Sequence, residues 1–144
     1  MNNTPITSFN DEHRFLSNFW PAEVELDGDI YTSVEHAYQA AKTLDRVGRI
    51  VIQRASSAGV AKKLGQTLPL RPNWDTMKFD IMTMLVFDKF RHHSSLRKQL
   101  LATGERELIE GNHWGDTYWG VCRGKGTNHL GNILMAVRKH VKEL

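Results

Sequence analysis

Between residues 33 and 42 the chain reads SVEHAYQAAK, and five side chains there can do chemistry: Glu35, His36, Tyr38, Gln39 and Lys42. On a helix, Glu35, Gln39 and Lys42 share one stripe with Tyr38 beside it, opposite a small face of Val34, Ala37 and Ala41. A carboxylate there suits acid–base work, or support for positive charge developing on a sugar. A structural alternative stands beside this one. TSVE matches a capping box, in which Thr32 caps the helix and Glu35 reaches back to its amide. Lys42 would then be an ordinary solvated residue, and His36 alone reads as a packed or capping histidine.

Two further stretches bear on the choice. RFLSNFWP, residues 14–21, is polar and aromatic, and Asn18 and Phe19 lie within it. HWGDTYWGVCRGKGTNHLG, residues 113–131, brings Asp116, two tryptophans (one of them Trp119) and Gly120 up to the loop RGKGTN. Glycines 124 and 126, Lys125 and the free amides of a helix beginning near Thr127 or Asn128 would make an anion site. The glycine and lysine spacing is not that of a nucleotide-triphosphate loop. Taken together, the stretches describe a pocket for a phosphorylated, ring-bearing ligand. Trp74 and Trp119 offer planar faces for a base, Lys42, Arg71 and the glycine loop meet phosphate, and Glu35 and Asp116 supply carboxylates. Trp74 also suits a core anchor, since it starts a very apolar helix.

The elements that must position these groups are short. Residues 5–10 read as a strand, and AEVELDGDIYTS as a hairpin turning at Asp27-Gly28. A helix follows from about residue 33, with Val34, Ala37, Ala41 and Leu44 on its packing face. RVGRIVIQRA reads as helix, with a strand as the rival because of its β-branched run. SSAGVAKKLGQ reads as a helix with a serine start and Gly65 as its stop. After Pro69 and Pro72, Asn73 caps a long helix to about Arg91, then SSLRKQLLAT forms another that Gly104 closes. ELIEG and YWGVCR read as strands, and the last helix buries Leu130, Ile133, Leu134, Val137 and Val141. The expected fold is α+β, helix-dominated, with one small antiparallel sheet, in a single domain spanning residues 1–144.

Composition narrows the classes. In 144 residues, 40% are hydrophobic and 24% charged, which suits a soluble globular chain rather than a disordered one. The strongest apolar run, residues 81–87, is too short to span a bilayer, and no secretory signal is visible. One cysteine, Cys122, fits a reducing compartment, and a cytoplasmic protein is expected. Net charge is +3 and the isoelectric point near 9.1, compatible with a phosphorylated or nucleic-acid partner without demanding one. The seven histidines show no ligand spacing, so neither metal nor cofactor is expected. Cys122 has no evident base to make it a nucleophile.

The motifs SNFWP, SVEHAYQAAK, RPNW, YWG and GKGTNHLGNILMAVR stand in the order and spacing of the NADAR superfamily, the YbiA-like proteins. The chain resembles this family over nearly its whole length, most of all its riboflavin-biosynthesis-intermediate N-glycosidases. The resemblance implies hydrolysis of an N-glycosidic bond. The substrate would be a phosphorylated N-riboside of early riboflavin synthesis or, as the alternative, ADP-ribosylated guanine in nucleic acid. A non-catalytic module binding ADP-ribose is the third possibility. By position, Glu35 falls on the family's main catalytic carboxylate and Asp116 on the aspartate before YWG. Asn18, Lys42, Trp74, Lys125 and Asn128 also fall on motif positions. The extra Trp114 and the Cys122-Arg123 pair depart from the pattern near the leaving-base pocket. The site expected from both lines of reasoning has Glu35, Asp116 and Lys42 as catalytic groups. Its substrate-binding residues are Asn18, Phe19, Tyr38, Gln39, Arg71, Trp74, Trp119, Gly120, Gly124, Lys125, Gly126 and Asn128.

Overall fold

A computed structural model describes residues 2–144, and the chain divides into two compact units. One comprises Asn18–Lys89. The other joins the N-terminal residues through Ser17 to Phe90–Leu144. Helices predominate, as the sequence pattern predicts: α1 (Val34–Ala41), α2 (Arg46–Gln53), α3 (Ala58–Gly65), α4 (Trp74–His92), α5 (Ser94–Ala102) and α6 (His129–Val141). Among the described residues, no helix is long and apolar enough to cross a membrane.

In the first unit, β1 (Val24–Leu26) and β2 (Asp29–Tyr31) pair antiparallel in the expected hairpin. Asp27 and Gly28 turn it with φ of 50° and 88°, the left-handed pair that matches the twist of two joined strands. Val24, Leu26 and Tyr31 face inward. Helix α1 packs against this hairpin, α2 and α3. The RVGRIVIQRA segment is helical: Asp45 accepts from the Gly48 amide and so caps α2. Ser57 caps α3 in the same way.

Two expectations about α1 need correction. Its cap is Ser33, whose hydroxyl accepts from the His36 amide, while Thr32 is exposed and Glu35 turns inward to Gln39 instead of back to the start. The capping box is absent because the Glu35 amide, from which a Thr32 cap would accept, donates to the Asn18 carbonyl instead. Nor does α1 have a solvent face, since every residue from Val34 to Ala41 is buried. Leu44, expected on the packing side, lies past the helix end and is 64% exposed.

In the second unit, Ile6 bridges Leu108 in parallel, in place of a full strand over residues 5–10. The expected strands ELIEG and YWGVCR reduce to β3 (Gly111–Asn112) and β4 (Val121–Cys122), which pair parallel over two residues. Side-chain hydrogen bonds from Asn112 and Asn128 hold the surrounding backbone there. Helix α6 buries Leu130, Ile133, Leu134, Val137 and Val141, the stripe its period predicts.

Candidate active site

The unit Asn18–Lys89 holds Asn18, Phe19, Glu35, Tyr38, Gln39, Lys42, Arg71 and Trp74. Glu35 is the group at its centre. It is 7% exposed, its amide donates to the Asn18 carbonyl at 3.1 Å, and its Oε2 accepts from Gln39 Nε2 at 2.6 Å. Asn18 is itself fixed by an Nδ2 contact of 3.4 Å to the Met82 sulfur. Burial pushes the Glu35 carboxyl above the usual carboxylate range. The Gln39 hydrogen bond opposes this, followed by the charges of Lys62, Lys42 and His36.

Lys42 closes α1 as its C-terminal cap and is half-buried. Burial lowers its pKa from the usual lysine value, Glu35 raises it, and Lys62 and Lys78 lower it further. Its Nζ stands 5.7 Å from the centre of the Tyr38 ring, a cation–π distance. Tyr38 meets Trp74, with centroids 5.3 Å apart and planes tilted by 53°. Both rings are buried, so Trp74 takes the core-anchor arrangement.

Two of the polar groups singled out have partners within the chain. His36 satisfies its ring locally: Nε2 donates to the Ala55 carbonyl at 3.1 Å and Nδ1 accepts the Ser33 hydroxyl at 2.7 Å. Arg71 serves the end of α1, its amide donating to Lys42 O at 2.8 Å and Nη1 to Ala41 O at 3.4 Å. It satisfies carbonyls that a helix end leaves open and places positive charge at the favourable pole.

Lys62 was missed in the sequence. It lies on α3, its charge acts on both Glu35 and Lys42, and its Nζ lies 6.0 Å from the centre of the half-exposed Phe19 ring. The available signal was the small-residue face Ala58, Ala61 and Gly65, all buried, which implies a close approach of α3 to a neighbour.

The second unit holds Asp116, Trp119, Gly120, Gly124, Lys125, Gly126 and Asn128. Asp116 Oδ1 accepts from the amides of Tyr118 at 3.1 Å and Trp119 at 2.9 Å, while Asn112 grips the Asp116 backbone through both its N–H and its C=O. This is an aspartate-organised turn. Trp119 packs edge-on against Tyr118, with centroids 4.7 Å apart. Arg123 and Gly124, both at positive φ, form a tight turn closed by two Cys122–Lys125 backbone hydrogen bonds. Lys125 and Gly126 are exposed and Gly120 is buried.

The expected anion site at the start of α6 is not formed by free amides. His129 N donates to Tyr118 O at 3.1 Å, Leu130 N to Trp119 O at 2.9 Å and Asn128 N to Gly120 O at 3.3 Å. Asn128 does not present its side chain to a ligand either: Nδ2 donates to Leu108 O at 3.0 Å and Oδ1 accepts from Glu110 N at 2.9 Å. The amides from Thr127 to Leu130 thus donate to their own chain.

Comparison with known proteins agrees with the fold. The profile of the NADAR domain family matches residues 6–142, and the chain belongs to that family. It is 40% identical over 139 residues to the N-glycosidase YbiA of Escherichia coli (strain K12), covering 93% of this chain and 85% of that protein. A riboflavin biosynthesis protein of Vibrio vulnificus is 38% identical over 136 residues, covering 92% of this chain and 37% of its own length. The NMR structure of E. coli YbiA superposes with a TM-score of 0.87 at 38% identity, over 99% of this chain and 88% of that one.

Proposed function

We propose that the chain is an N-glycosidase that hydrolyses the C–N bond between a ribose phosphate and a base-like leaving group, with residues 6–142 acting as one NADAR domain. The names of its relatives point to this bond class. The observation that carries the reading onto this chain is Glu35: a carboxylate buried inside a helix, held by one amide donor and acted on by two lysines. A carboxyl whose pKa burial raises is a stronger base than an ordinary carboxylate.

The chemistry follows from that arrangement. As the ribosyl C–N bond breaks, positive charge develops on the sugar and the bond's electron pair stays on the leaving nitrogen. Glu35 stabilises the sugar cation and takes a proton from the water that adds to C1. Lys42, whose pKa burial lowers, gives a proton to the leaving nitrogen. Lys62 meets the substrate's phosphate, and the exposed Phe19 ring beside it borders the entry. Asp116, whose Oδ1 accepts from two amides, shapes its turn.

The test is mass analysis of base and sugar released from a panel of N-ribosides, 5-phosphorylated and not, together with ADP-ribosylated guanine in an oligonucleotide. Release of ribose 5-phosphate and free base supports the reading. Release only from the oligonucleotide moves the substrate to nucleic acid, and binding without release at high protein concentration overturns catalysis.

A further inference from the structure

Gly65 is the last residue of α3, buried, and in ordinary helical backbone, where nothing about φ requires glycine. Space requires it. A Cβ built there would overlap Gln39 Oε1 and lie 2.7 Å from Gln39 Cδ and 3.0 Å from its Cβ. The slot that a side chain would fill holds the Gln39 amide instead. That amide is 3% exposed. Its Nε2 donates to Glu35 Oε2, while Oε1, turned to Gly65, has no hydrogen-bond partner among the described residues. Leaving a buried carbonyl oxygen without a donor is unfavourable, and the geometry at the other end of the same amide shows what is gained. An alanine face on α1 (Ala37, Ala40, Ala41) and a small face on α3 (Ala58, Ala61, Gly65) permit the approach.

We propose that Gly65 and Gln39 are paired positioning residues for the reaction: Gly65 keeps open the slot in which Gln39 lies, and Gln39 fixes the orientation of the Glu35 carboxylate. The inference rests on the reading of Glu35 as the reacting carboxylate. The titratable groups that act on Glu35 are Lys62 on α3 and Lys42 and His36 on α1. All three are untouched by substitution at 39 or 65, and added hydration of the carboxyl would lower its pKa, so a rise on those substitutions reports the lost amide donor.

The experiment compares Gly65→Ala, Gln39→Ala and the double variant in the full chain, using whichever N-riboside the wild type turns over. Each single variant is expected to lose at least tenfold in kcat with KM within twofold. The acid limb of the kcat profile should move to higher pH, because a donor to the ionised form has gone. In the Gln39→Ala background, Gly65→Ala should cost less than twofold more, since the overlap with Oε1 and Cδ no longer exists. An equal loss from Gly65→Ala in both backgrounds would make it a helix-packing glycine and overturn the pairing. Carbon-13 NMR titration of the Glu35 carboxyl reads the same contact without turnover. A raised Glu35 pKa in both single variants supports the pair, and an unchanged one overturns it. A raised pKa with unchanged kcat keeps the contact but removes Glu35 from the chemistry, so failure of the pair and failure of the functional reading give different results.

Discussion

Tyr38 and Trp74 meet ring to ring 5.3 Å apart, one from the middle of α1 and the other from the first position of α4. Trp74 is 5% exposed, and its partner Tyr38 has the Lys42 ammonium over its ring. Trp74→Ala is therefore expected to lose about 3 kcal/mol or more of stability, with activity following the folded fraction. Trp74→Phe should retain most of both. Chemical denaturation beside kinetics checks this, and full stability with lost activity in Trp74→Ala would return the ring to direct substrate stacking.

Glu35→Gln separates charge from shape. Glutamine can still accept from Gln39, yet it offers no negative charge to the developing sugar cation. The expected loss in kcat is at least a hundredfold, about 2.7 kcal/mol, with substrate binding kept. Stability should move the other way. Because burial raises the folded-state pKa of Glu35, the folded chain binds more protons than the unfolded one between the ordinary and the raised value, so stability falls as pH rises through that window. Glu35→Gln removes the penalty, and its Tm at pH 8 should equal or exceed that of the wild type. Retention of more than a tenth of kcat, with chemistry rate-limiting, sinks the assignment.

Lys62 and Lys125 make opposite predictions about phosphate. Lys62→Ala should raise KM for a 5-phosphorylated riboside by roughly tenfold to a hundredfold, the equivalent of one lost charge-assisted contact of about 1.5–3 kcal/mol. The dephosphorylated counterpart should be much less affected. Lys125→Ala should change either KM less than threefold, since the amides at the start of α6 are already bonded within the chain. Steady-state kinetics on the matched pair decides, and the reverse ranking would put phosphate at the start of α6.

Lys89 is 1% exposed, and burial lowers its pKa from 10.5 to about 7. Between those values the unfolded chain carries a proton that the folded chain lacks, so stability should rise with pH across the window from about 7 to 10.5. Below it both forms are charged and the burial cost is fully felt. Thermal melts at pH 7, 8 and 9 should show Tm climbing, after allowance for other groups, and Lys89→Met should flatten that climb. An equal slope in the variant would assign the pH response elsewhere.

Much of the architecture was legible because it rests on local rules. The Asp27-Gly28 turn, the serine cap of α3 and the five-residue apolar stripe of α6 each follow from residue type and spacing. So does the shared stripe within SVEHAYQAAK, where Glu35 and Gln39 sit one turn apart and in contact. Less legible was which polar groups the neighbouring backbone would engage. Thr32 gave way to Ser33 as the cap, Arg71 went to the end of α1, and Asn128 went to Leu108 and Glu110. Lys62 stayed hidden because its relation to Glu35 depends on the approach of α3 to α1, which no spacing within either segment encodes.

The bonds from His129 and Leu130 to Tyr118 and Trp119 also set how this part of the chain can open. In most helices the first amides exchange with solvent by simple fraying of the end. Here they are shielded by a separate segment, so they can exchange only when residues 117–120 lift away as a unit. Hydrogen exchange at these two positions thus becomes a clock for that lifting, and Asp116, which holds the amides of Tyr118 and Trp119 from the other side, is the latch whose removal should make it run faster.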